Sequence, residues 1–157
     1  MKIRTDFVTN SSSSSFVLAF EDENTIKTEL ANCFPKYAMQ YYGMVYRDIQ
    51  SAERLTKEQV IEKIKEEYHW VARYFLFERK RRNNYNLTYA DEMVWEKSDE
   101  GKKEIDDYIN GIIKSVEVKL DENSVFVEVE YFDHDDSELE HEIIPDLPVT
   151  VIRFNHH

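Results

Sequence analysis

The segment from Lys57 to Arg82 constrains this chain most, because it reads as one long helix with a marked start and a marked end. Thr56 with Gln59 three residues on forms a capping box, and Leu55 and Val60 stand where a hydrophobic staple would place them. Val60, Ile61, Ile64, Tyr68, Val71 and Phe75 recur at helical spacing and line one face. Arg79, Lys80, Arg81 and Arg82 complement the negative end of the helix dipole, and Asn83 and Asn84 suit a C-cap. From Trp70 to Phe77 only Arg73 is polar, so that stretch is apolar nearly all round. Such a stretch is either the central helix of a fold or part of a partner interface, for instance a homodimer built on Trp70–Phe77.

Other helices flank this one. Asp22 to Thr25 read as a helix start, followed by Ile26, Leu30, Cys33 and Phe34 at helical spacing up to Pro35. Tyr37, Tyr41, Met44, Val45 and Ile49 continue the period, with Gly43 inside it. Ser98 caps a later helix, with Asp99 and Glu100 in its first turn and Ile105, Ile109, Ile112 and Ile113 as its apolar stripe. Residues 85–97 stay open, and Leu87 and Tyr89 allow a short strand.

Strands are expected at both ends. Phe16-Val17-Leu18-Ala19-Phe20 read as a strand buried on both faces, entered through Ser11 to Ser15. Near the C-terminus, Val116, Val118 and Leu120 alternate with polar residues, and a turn follows at Asp121 to Ser124. Val125, Val127, Val129 and Tyr131 continue the alternation, and after a loop so do Leu139, His141 and Ile143. Pro145 and Pro148 break the chain before a last strand, Val149 to Phe154. The expected fold class is α+β: an antiparallel sheet of about four or five strands, mostly C-terminal, with helices packed on one face. The 157 residues suit a single domain, 1–157.

The net charge of −12 has an address. Residues 1–97 carry 15 acidic and 15 basic residues, whereas residues 98–157 carry 17 acidic and 5 basic. The acidic end argues against direct nucleic-acid or anionic-membrane binding through that half. If residues 125–143 form strands, their outer face carries Glu128, Glu130, Glu138, Glu140 and Glu142. Such a face is a binding surface for a basic protein, or a mimic of the DNA phosphate ladder that occupies a nucleic-acid-binding protein. A solvated face that keeps the chain soluble explains the same pattern.

Several chemistries are excluded or poorly supported. Three glycines, Gly43, Gly101 and Gly111, cannot compose a dinucleotide fingerprint, a P-loop or a nucleophile elbow. The one cysteine, Cys33, can form no intramolecular disulfide and no Cys-x-x-Cys site, which fits a reducing, cytoplasmic setting. Asp6 and the serines stand where a signal peptide needs an apolar core, and no stretch reaches the length of a membrane span. No cofactor is expected, apart from a divalent metal. Asp133, His134, Asp135 and His141 mix imidazole and carboxylate, which suits zinc, manganese or iron in a hydrolase or nuclease. Their spacing matches no known ligand pattern, and the calcium-loop likeness from Asp133 fails at Glu138 and Ile144. The basic run Arg79–Arg82 with Tyr85 could touch phosphates, but a solvated helix end explains it as well.

The opening Lys2-Ile3-Arg4-Thr5-Asp6-Phe7-Val8-Thr9-Asn10, followed by Ser11 to Ser15 and Phe16, resembles a segment found on otherwise varied, uncharacterised bacterial proteins, mainly Gram-positive. The resemblance covers about the first 20 residues. It implies a bacterial cytosolic origin and no activity. It would make the segment a shared recognition or processing tag, or an edge strand and turn. The expected function is therefore noncatalytic binding or regulation through the acidic sheet face.

Overall fold

A computed structural model describes residues 2–3, 13–33, 39–117, 123–132, 139–147 and 149–156. The class is α+β. Five strands form one sheet: β1 (Lys2–Ile3), β2 (Ser13–Phe20), β3 (Arg54–Leu55), β4 (Val125–Phe132) and β5 (Thr150–His156), in the order β1-β5-β2-β4-β3. Only β1 and β5 pair in parallel; the other neighbours are antiparallel. The central strand is β2, from near the N-terminus. Phe16 lies opposite Val129 on one side and Arg153 on the other.

The chain forms two compact units, Met1–Val60 with Glu117–His157, and Ile61–Val116. The first holds the sheet with helices α1 (Ile26–Cys33) and α2 (Met39–Ser51). Phe16, Val17, Leu18, Ala19 and Phe20 are all buried, as a strand covered on both faces requires. One face of β2 and its neighbours packs with Ile26 and Leu30 of α1 and Val45 and Ile49 of α2 in a single core. The start of α1 follows from local chemistry. Asp22 Oδ1 accepts hydrogen bonds from the backbone of Asn24 at 2.7 Å and Thr25 at 2.9 Å, a turn that leads the chain into the helix.

The long helix α3 (Lys57–Asn83) begins in the first unit and supplies much of the second, with α4 (Tyr89–Lys97) and α5 (Asp99–Glu117). Its capping box is present: Thr56 N donates to Gln59 Oε1 at 2.8 Å, and Gln59 N donates to Thr56 Oγ1 at 3.1 Å. Ser98 Oγ accepts from the Gly101 backbone at 3.0 Å and so caps α5. Ile64, Tyr68, Ala72, Phe77, Trp95, Ile105, Ile109, Ile113 and Val116 are the buried large or aliphatic residues of this unit. In the apolar stretch of α3, Ala72 and Phe77 are buried while Phe75 is 38% exposed. The rings of Trp70 and Tyr74 stack at 5.8 Å.

The structure fills one segment that the sequence leaves open and differs from expectation in the C-terminal strands. Residues 89–97 are a helix, set by a second capping box in which Thr88 and Asp91 bond each other's backbone. Residues Leu139–Ile143 are a short π-helix, followed by the helical turn α6 (Ile144–Asp146), and not a strand of the meander. Leu139, Ile143, Ile144 and Leu147 are buried together in the sheet core, at helical spacing. Of the strand expected from Val116 to Leu120, Val116 instead lies buried in the last turn of α5, while Val118 and Leu120 lie outside the described residues.

Candidate binding surface on strand β4

Strand β4 is held by its whole length on one side. All eight residues pair with β2, from Val125 opposite Phe20 to Phe132 opposite Ser13. The alternation works as its sequence implies. Val127, Val129 and Tyr131 are buried on the core face, and the Tyr131 hydroxyl donates to Asp48 Oδ2 at 3.1 Å. The other face carries Phe126, Glu128, Glu130 and Phe132. Phe126 is buried, Glu128 half-buried and Glu130 exposed, while Phe132 is 49% exposed.

This face is not uniformly acidic. The register places Val17 beside Glu128 and Ile152 beside Val17, and Phe154 two residues along β5 faces the same way. Val17, Ile152 and Phe154 are all buried. The carboxylates therefore share the face with buried apolar side chains and with Ser15, which lies opposite Glu130. The π-helical geometry also corrects the expected extension of the acidic ladder: Glu142 is exposed, but it lies on that short helix, not on a strand. Glu138 lies outside the described residues, as does the side chain of Glu140. Of the five expected binding residues, β4 brings together Glu128 and Glu130.

The expected metal residues Asp133, His134 and Asp135 lie outside the described residues. His141 is exposed on the π-helix. Among the described residues no group of three or more His, Cys, Asp or Glu side chains is placed to hold a metal ion. No described helix is long and apolar enough to cross a membrane.

Two polar features had no distinctive sequence signal. An open cleft of about 400 Å³ lies between α1, α2 and β3, lined by Glu23, Ile26, Lys27, Tyr46, Gln50 and Arg54. Its Arg54 is already engaged: Nε contacts Glu23 Oε1 at 2.5 Å, and Nη1 donates to the carbonyl oxygens of Ile49 and Ala52. The Arg54 hydrogen bond holds the Glu23 carboxyl below its ordinary value. In the helical unit, Arg73 pairs with Glu92 at 3.2 Å and Glu96 at 3.3 Å, and Lys80 pairs with Glu104 at 2.8 Å and Glu100 at 3.3 Å. Lys80 also lies over the Trp95 ring, and Arg81 pairs with Glu78. Half of the basic run at the end of α3 is thus committed to neighbouring side chains.

Comparison with known proteins gives no match, whether to a family model, a curated protein or a solved structure.

Proposed function

We propose that the protein is a noncatalytic binding or regulatory protein that offers the acidic end of β4 to a basic protein, such as a nucleic-acid-binding one. The observation that carries this reading is Glu130, exposed two residues from a half-exposed Phe132 on the same face of the strand. An exposed ring beside a carboxylate suits an arginine side chain. The guanidinium can pair with the carboxylate while it or its stem lies on the ring. The charge distribution supports the same reading, because the whole acidic excess belongs to residues 98–157.

The test must separate a specific surface from bulk charge. An arginine-rich peptide is titrated against the native protein, a Glu128→Gln/Glu130→Gln variant, and a control Glu66→Gln/Asp106→Asn variant. Both variants lose two negative charges. The β4 variant is expected to bind about tenfold more weakly, equivalent to ~1.4 kcal/mol. The control is expected to stay close to native. Equal losses in the two variants would reject the proposed surface.

A further inference from the structure

Half of the basic run that closes α3 is engaged by neighbours, and half is not. Lys80 pairs with Glu100 and Glu104, and Arg81 with Glu78. Arg79 and Arg82 are exposed and form no ion pair among the described residues. Three residues apart, they stand about one turn from each other on the same side of the helix. The chain then turns tightly: Asn84 N donates to the carbonyl oxygens of Lys80 and Arg81, and Leu87 N donates to that of Asn84. Two tyrosines flank this turn, and neither ring belongs to a core: Tyr85 is 87% exposed and Tyr89 is 65% exposed. The Cα atoms of Arg82 and Tyr85 can be no more than about 11 Å apart, so the cations and the rings share one corner of the fold.

We propose that this corner between α3 and α4 binds single-stranded RNA. The two guanidinium groups suit phosphates, and the open phenol rings suit the faces of unstacked bases, a combination that single-strand binders share. The exposed amides of Asn83 and Asn86 can bond ribose 2′-hydroxyls, which DNA lacks. An acidic peptide would satisfy the arginines but leave the rings in water. The net charge of −12 does not oppose this locally. The helical unit Ile61–Val116 holds 12 acidic and 11 basic residues, so it is nearly balanced. Glu78 is turned to Arg81 and Asp91 to Thr88. Charges more than about 8 Å away are largely screened at physiological salt. The corner shares no residue with β4, so neither reading depends on the other.

The probe is a labelled, unstructured oligoribonucleotide about ten nucleotides long, followed by fluorescence anisotropy over a range of salt concentrations. Circular dichroism confirms that each variant is folded. Native protein is expected to bind, more weakly as salt rises. Arg79→Gln/Arg82→Gln should lose at least tenfold and flatten the logarithmic salt slope by about 1.4, the value for two phosphate contacts on a single strand. The control Lys102→Gln/Lys114→Gln loses the same charge from exposed positions and should stay within about twofold of native. Tyr85→Ala/Tyr89→Ala should lose at least tenfold with the salt slope unchanged, and Tyr85→Phe/Tyr89→Phe should keep the affinity, because stacking needs the ring and not the hydroxyl. Glu128→Gln/Glu130→Gln should bind RNA at least as tightly as native. No binding at low salt, equal losses in the arginine and lysine variants, or indifference to the tyrosines overturns the proposal. Equal binding of the same sequence as DNA, or of a polyglutamate peptide, overturns the assignment to RNA.

Discussion

Gly101 stands where a side chain has no room. A Cβ there would lie 1.9 Å from the Trp95 carbonyl oxygen, a backbone atom that cannot swing aside. Alanine is intrinsically the better helix former by about 1 kcal/mol, yet relieving that clash must shift α4 against α5. Gly101→Ala is expected to lower stability by about 1–3 kcal/mol, read as a lower denaturant midpoint. A stabilised variant would contradict the geometry. Two glutamates should respond to pH in opposite senses. Burial first, then the charges of Glu21 and Asp22, raises the Glu29 carboxyl above its ordinary value. The folded state thus holds that proton more tightly, and the stability this contributes is lost as pH rises through the raised value. Glu29→Gln should therefore be more stable than native at pH 7, with no gain in acid. Glu23 is lowered by its hydrogen bond to Arg54, so its contribution is present at neutral pH and lost as pH falls through the lowered value. Glu23→Gln should destabilise at pH 7 by less than about 1 kcal/mol, because the pair is largely exposed, and the difference should vanish in acid. Thermal melts at both pH values give the comparison.

Among the elements, those with a chemical start signal were the legible ones. The Thr56–Gln59 box and the Ser98 cap placed α3 and α5, because a capping side chain satisfies backbone donors that lie within a few residues of it. Ser98→Ala should cost about 1 kcal/mol and lower the helical signal at elevated temperature by circular dichroism; no change would mean that Thr88 and tertiary packing fix this junction without it. The α4 helix carries a signal too, but a weaker one, because Thr88-x-x-Asp91 uses a shorter acid than the usual glutamate. Residues 139–143 mislead for another reason. Leu139, His141 and Ile143 alternate, but Leu139, Ile143, Ile144 and Leu147 also repeat at helical spacing, and burial follows the second pattern. Pro145, which suggested a break, is tolerated in the first turn of α6. Glu130 was readable as outward from the alternation of β4. The pairing of β3 with β4 was not, because β3 is an element of two residues whose partner lies about 70 residues away in sequence.

For the whole molecule, the net charge of −12 is a colloidal property before it is a functional one. The sequence pI near 4.9 predicts that solubility falls toward that pH. Glu130 stands on the same face as the half-exposed Phe132, so the Glu128→Gln/Glu130→Gln variant should associate at neutral pH more readily than the Glu66→Gln/Asp106→Asn control, as measured by light scattering. The sheet carries a different consequence through its strand order. β2 precedes its neighbours β4 and β5 by a long stretch of chain, so Phe16 meets Val129 and Arg153 only after more than a hundred intervening residues. At about 5–20 residues per second, an emerging chain leaves its most apolar strand without partners for roughly 6 to 20 seconds. The helical segments between them can form as they leave the ribosome, but the sheet has to wait for β4 and β5. In a cell, this protein's dependence on chaperones, and the damage done by any early stop, should be set by that interval rather than by the stability of the finished fold.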